Sequence, residues 1–146
     1  MIIKTRNPRR MELMVKLSRA EEELLRKQEI ARIVTLSKDG YPHIAPMWFA
    51  YDGRYVYIGT DSDTKKVANI LNNNKVAVLV DSQDWHNPEG VLIQGKAEIL
   101  KKGDKDFDYS VNLVVERFPG EKKYEGPKQR ILKITPVKVA YWKFKP

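Results

Sequence analysis

Two Asp-Gly pairs, Asp39-Gly40 and Asp52-Gly53, each set between runs rich in β-branched and aromatic residues, constrain this chain more than any other feature. Asp-Gly suits the positive-φ positions of tight hairpin turns, so each pair calls for two antiparallel strands in immediate succession. The first joins "ARIVTLS", Ala31 to Ser37, to "HIAPMWFAY", and the second joins that arm to "RYVYIGT". Pro46 removes one ladder donor midway along the shared arm.

The remaining segments follow the same pattern. "SRAEEELLRKQE" predicts a helix with a capping box between Ser18 and Glu21, with Leu24 and Leu25 opening its apolar face. After Gly59 a second helix starts, with Ser62 or Asp63 expected as its cap, and Val67, Ile70 and Leu71 at core-facing spacing. Asn72-Asn73-Asn74 ends it. Strands "VAVLVD" and "GVLIQGKAEIL" flank the polar loop "SQDWHNPE". A third helix is expected in "DKDFDYSVNLVVERF", with Phe107, Val111, Val114, Val115 and Phe118 on one face. "PGEKKYEGPKQ" reads as an exposed loop, and "RILKIT" and "VKVAYWKF" as two strands around Pro136. Six or seven strands linked mostly by hairpins predict a mainly β (α+β) fold, a small antiparallel barrel with flanking helices.

A length of 146 residues suits one domain spanning 1–146. No apolar run reaches the roughly 18 residues that cross a bilayer, and "MIIKTRNPRRMELMV" carries charges where a signal peptide needs its apolar centre, so a cytoplasmic location is expected. The absence of cysteine excludes disulfides, thiolate nucleophiles and cysteine-ligated metals, and two histidines are too few for a metal cluster. A net charge of +8 favours anionic partners, which include nucleic acid, lipid headgroups and phosphorylated small molecules.

Thr60, Ser62, Thr64, Lys65 and Lys66 combine hydroxyls, a helix N-terminus and two ammonium groups. Cations are unusual in a first turn, where the unpaired N–H groups already carry partial positive charge, and such a set suits a bound phosphate. The alternative is that both lysines are solvated and offset by Asp61 and Asp63. Upstream, Pro46, Met47 and Trp48 interrupt a strand and would leave backbone groups facing a flat ring, or form an ordinary edge strand with core side chains. His43 reads as a half-buried structural residue and His86 as surface. No Ser/His/Asp spacing is distinctive of hydrolysis.

The run "ARIVTLSKDGYPHIAPMWFAYDGRYVYIGTDSDTKKVANILNNNKVAVLVD", followed by "GVLIQGKAEIL", resembles the pyridoxamine 5′-phosphate oxidase-like flavin-binding split barrels. The resemblance implies an FMN phosphate held at Thr60, Thr64, Lys65 and Lys66, and an isoalloxazine ring laid against Ala45, Pro46, Met47 and Trp48 at a homodimer interface. Gln94 and Trp142 are further positions it implies. True pyridoxamine 5′-phosphate oxidases resemble one another in an Arg/Lys-bearing strand before the phosphate site and an arginine-rich C-terminal segment, where this chain has "IAPMWFA" and "VAYWKFKP". The implied activity is therefore a flavin-dependent oxidoreductase of unknown substrate, with the deazaflavin F420 as the alternative cofactor. The reading from another class is a module without turnover: a flavin carrier or, less in keeping with the family, a nucleic-acid binder presenting Tyr41, Trp48, Tyr55 and Tyr57.

Overall fold

The computed structural model describes residues 2–6, 14–120 and 126–144. Eight strands and three helices alternate in the order β1 (Ile2–Arg6), α1 (Arg19–Lys27), β2 (Ile30–Leu36), β3 (Pro42–Trp48), β4 (Ala50–Tyr51), β5 (Val56–Asp61), α2 (Lys65–Asn72), β6 (Lys75–Asp81), β7 (Glu89–Leu100), α3 (Phe107–Arg117) and β8 (Gln129–Lys143). All pairings are antiparallel, in the order β3-β2-β6-β7-β8-β5-β4, with β1 added to the far end of β8. The two edges of this path, β3 and β4, are separated in sequence by Phe49 alone, so the sheet must curl until they meet: an antiparallel split barrel. The strand count exceeds six or seven because of β1 and the two-residue β4.

The expected arm "HIAPMWFAY" divides at that corner. Residues 42–48 pair with β2 and residues 50–51 with β5. Phe49 leaves both ladders and buries its ring completely, and its carbonyl accepts a hydrogen bond from the Arg117 guanidinium at 3.0 Å. Pro46 sits on an edge strand, where its missing N–H costs least. The hairpin glycines Gly40 and Gly53 have φ of +87° and +94°, as the Asp-Gly turns require.

α1 carries the expected capping box: Glu21 N–H donates to Ser18 Oγ at 3.3 Å and Ser18 N–H to Glu21 Oε1 at 2.8 Å. α2 departs from expectation. Its cap is Thr64, because Ser62 N–H is taken by Lys128 O and the Asp63 carboxylate by Lys128 Nζ. Its buried side is Lys66, Val67, Asn69 and Ile70, which rotates Leu71 out to 76 % exposure. α3 buries Phe107, Val114 and Phe118 against the outside of β5 and β8, where Tyr57 and Ile131 wait beneath it.

The two C-terminal strands expected around Pro136 are one continuous strand, β8. Pro136 is accommodated at a bulge, where Gln94 pairs with Lys138 and Gly95 with Pro136, leaving Val137 as the extra residue. β1 was not anticipated, and pairs with residues 139–143 of β8. The loop "PGEKKYEGPKQ" lies partly outside the described residues.

Candidate functional site

β5 and β8 alternate faces in register. Val56 and Ile58, with Leu132 and Ile134 opposite, enter the barrel core, so Thr60 and its partner Arg130 continue that face at the barrel's end. α2 begins there. Thr60 Oγ1 lies 3.3 Å from Thr64 Oγ1, and Thr64 Oγ1 donates to Asp61 O at 3.0 Å instead of capping the helix. The first turn of α2 holds no acidic residue and its cap side chain accepts no helix N–H, so those N–H groups remain available as directed donors.

The two lysines differ. Lys65 is exposed and close enough to the β2–β3 turn for its charge to lower the Asp39 pKa, behind the hydrogen bonds from Ser37 and Tyr41. Lys66 is 8 % exposed and makes no hydrogen bond or ion pair with a described residue. Burial pushes its pKa below the ordinary lysine value, and the nearby Asp61 charge only partly offsets this. A largely buried lysine with no hydrogen bond to a described residue, two adjacent hydroxyls and open helix N–H groups form a donor set that a phosphate dianion would complete. Arg130, opposite Thr60, belongs to the same charged end; only strand register shows it, since it is 70 residues away in sequence from Thr60 and carries no local motif.

The ring-side positions lie on β3. Ala45 and Met47 point inward and pack against the core, whereas Pro46 and Trp48 point outward. Trp48 stacks on Phe118 of the α3 end, with centroids 5.0 Å apart and planes 6° from parallel. Pro46, Met47 and Trp48 share a recess of about 270 Å³ with Ile30, Gly59 and Val114. Gly59 precedes Thr60 on β5, so the recess opens on the other face of the strand that carries Thr60.

Gln94 and Trp142 are not brought to it. Both stand on the outer face of the sheet, three and four strands from β3, or roughly 14 and 19 Å at the usual inter-strand spacing. Trp142 is half-buried and lies over Gly90, where an added Cβ would come within 2.1 Å of its ring. His43 faces Thr35 across the β2–β3 pair, next to the buried Asn69–Thr35 hydrogen bond of 3.0 Å; its Nδ1 is buried with no hydrogen-bond partner among the described residues. His86 is exposed and packs against the Trp85 ring. No helix of the described residues is long and apolar enough to cross a membrane.

The family model for pyridoxamine 5′-phosphate oxidase matches residues 17–143. The chain belongs to the pyridoxamine 5′-phosphate oxidase family. It is 33 % identical over 89 residues to the 5a,11a-dehydrotetracycline/5a,11a-dehydrooxytetracycline reductase of Streptomyces rimosus, covering 56 % of this chain and 63 % of that enzyme. The match therefore spans less than two thirds of the relative. An FAD-binding protein from Mycobacterium smegmatis superposes with a TM-score of 0.67 at 23 % identity, covering 90 % of this chain and all of that one. The haem storage protein HutZ from Vibrio cholerae gives 0.74 at 12 % identity, covering 88 % and 96 %. At such identities the likeness is one of fold, and this pyridoxamine 5′-phosphate oxidase-family barrel is shared by proteins that hold different cofactors.

Proposed function

We propose that the whole chain acts as one FMN-binding domain and a flavin-dependent oxidoreductase of the reductase kind, with the flavin phosphate at Thr60, Thr64, Lys65 and Lys66. The observation that carries this reading is Lys66, a largely buried lysine that makes no hydrogen bond or ion pair with a described residue, beside a helix N-terminus without a side-chain cap. The reductase named among the relatives supports the reaction class. When bound, the flavin supplies the redox chemistry.

The chain's own residues bind and orient. Thr60 and Thr64 donate to phosphate oxygens, Lys66 neutralises from the buried side, and Lys65 from solvent. Ala45 to Trp48 form the support for the ring, and Trp48 is fixed by its stack on Phe118. A recess of about 270 Å³ falls below the several hundred Å³ typical of a cofactor site, so a second copy of the chain completes it. Gln94 and Trp142 reach a flavin only from that second copy.

The test is calorimetric titration with FMN and with riboflavin, which lacks the phosphate. FMN should bind about 100-fold more tightly, since each charge-assisted contact contributes on the order of 1.5–3 kcal/mol. Equal affinities overturn the phosphate assignment. The absorbance of the purified protein separates the cofactors: two bands in the blue and near ultraviolet for FMN, a single violet band for F420. No pyridoxal 5′-phosphate should form from pyridoxamine 5′-phosphate, because "IAPMWFA" lacks the basic residues of the true oxidases; enzymatic formation of that product would reverse this exclusion.

A further inference from the structure

β2 and β3 turn four register pairs to the outer face of the sheet: Ile30–Trp48, Arg32–Pro46, Val34–Ile44 and Leu36–Pro42. Arg32 is the only charged residue among them. Its partner across the ladder is Pro46, one of the ring-side positions, and Ile30, two places before it on the same face, lines the recess that Pro46 and Trp48 share. Cα atoms opposite each other in an antiparallel pair are about 4.5–5.5 Å apart, so the base of the arginine side chain stands beside the strand that would support the ring.

Arg32 has a partner. Its Nη1 donates to Asp81 Oδ1 on β6, two residues beyond the cross-strand neighbour Leu79, and both side chains are 33 % exposed. A partly exposed ion pair of this kind adds little to stability, and covering it costs desolvation. Apolar residues in both places would serve the sheet as well, so stability alone does not account for the pair.

A flavin reduced by two electrons takes one proton at N5 and keeps a negative charge spread over N1 and the neighbouring carbonyl oxygen. A nearby guanidinium favours that anion over the neutral oxidised ring, and a nearby carboxylate opposes it; both effects grow where water is excluded. We propose that Arg32 raises the reduction potential of a flavin held along β3 and that Asp81 moderates the rise. Both act through their charge and lie outside the phosphate site. The inference rests on the flavin reading and adds to it the residues that tune the ring.

The experiment is a potentiometric titration of the FMN-loaded full chain, reduced with dithionite in the presence of mediator dyes. Wild type is compared with Arg32→Met, which keeps an apolar stem and removes the charge, with Arg32→Lys, which keeps the charge, and with Asp81→Asn. Arg32→Met should lower the potential, by about 30 mV if the guanidinium favours reduced over oxidised flavin tenfold. Asp81→Asn should raise it, and Arg32→Lys should stay near wild type. Opposite signs in the two charge-removing variants are the signature of an electrostatic role, because the loss of a merely structural pair moves both the same way or neither. Potentials equal to wild type in both therefore overturn the proposal, as do shifts of one sign. Where a circular dichroism melt shows that Arg32→Met does not fold, Asp81→Asn decides alone: a rise supports the proposal, and no change or a fall overturns it. A wild-type chain that binds no FMN refutes the flavin reading and this inference with it, whereas bound FMN with unshifted potentials refutes this inference only.

Discussion

Lys65 and Lys66 are neighbours in sequence, yet the helix turns them about 100° apart, one into solvent toward Asp39 and the other toward the protein beside Asp61. They should therefore contribute unequally. Lys66→Ala is expected to weaken FMN binding more than Lys65→Ala does, because the charge on the exposed side chain is screened more than that on the largely buried one; calorimetry with the reverse order would refute this assignment of roles. The buried lysine also makes binding depend on pH. Its pKa in the free protein is below the ordinary 10.5, chiefly through burial. Between its folded pKa and 10.5 the unfolded chain binds more protons than the folded one, so the stability of the free protein rises with pH across that window, and the cost of the buried charge is greatest below it. A bound dianion reverses the shift and draws a proton back onto Lys66. The phosphate itself is already dianionic above about pH 7. FMN affinity should thus fall as pH rises through the alkaline range, with proton uptake on binding, and Lys66→Gln should remove that slope. Titrations in buffers of different ionisation enthalpy measure the uptake directly, and zero uptake on the alkaline side would sink the idea.

Arg117 shows how one side chain can set the relation among several elements. From the end of α3 its guanidinium donates to the carbonyls of Leu25 and Phe49 at 3.0 Å and Arg26 at 3.3 Å, and also to that of Gln28, and it lies 4.6 Å above the Phe49 ring. It thereby satisfies the free carbonyls at the end of α1 and fixes the corner at which β3 passes to β4. Arg117→Ala leaves several of these acceptors unpaired and should cost on the order of 3 kcal/mol, or about 10 °C in a thermal melt for a chain this size. Lysine should not restore it, because a single ammonium cannot span carbonyls from two elements. A melt within about 2 °C of wild type would disprove this role. Gly95→Ala should likewise destabilise, by collision with the Thr135 carbonyl rather than by loss of a contact. Neither device is legible in the sequence, since Arg117 meets partners 68 and 92 residues away. What was legible is local: the α1 capping box, the Asp-Gly turns and the strand alternation of β2, β6 and β7 each depend on neighbours within a few residues. The Thr64 cap is not legible because it depends on Lys128, 64 positions on, whose carbonyl holds the Ser62 N–H and whose ammonium holds the Asp63 carboxylate. β1 was missed because a short N-terminal strand is defined by the β8 edge that receives it.

Among the described residues no helix lies over Leu36 and Ile44 on the outer face of β2 and β3, which are 36 % and 59 % exposed, and Trp48 beside them keeps 42 % exposure despite its stack on Phe118. Apolar rows of this kind, continuous from Pro46 and Ile44 through Val34 to Ala77, suit an isologous interface in which the same patch meets itself. The separations within one chain point the same way, because Gln94 and Trp142 can approach a flavin at β3 only from a second copy. Such a dimer would set the exposed Lys75, Lys96 and Lys138, none of which forms an ion pair with a described residue, near their copies, so its charge term would be repulsive and its apolar term attractive. Salt screens the first, with a Debye length falling from about 30 Å at 0.01 M to about 8 Å at 0.15 M, and leaves the second nearly unchanged. The dimer should therefore tighten with ionic strength over that range, opposite to an interface held by ion pairs, and saturating FMN should tighten it further if the flavin is shared between chains. Light scattering at micromolar concentration, with and without FMN, measures both. A mass of one 146-residue chain that retains flavin at both salt concentrations would remove the shared site and leave the 82–88 loop, with its 80 % exposed Trp85, as the remaining cover for the ring.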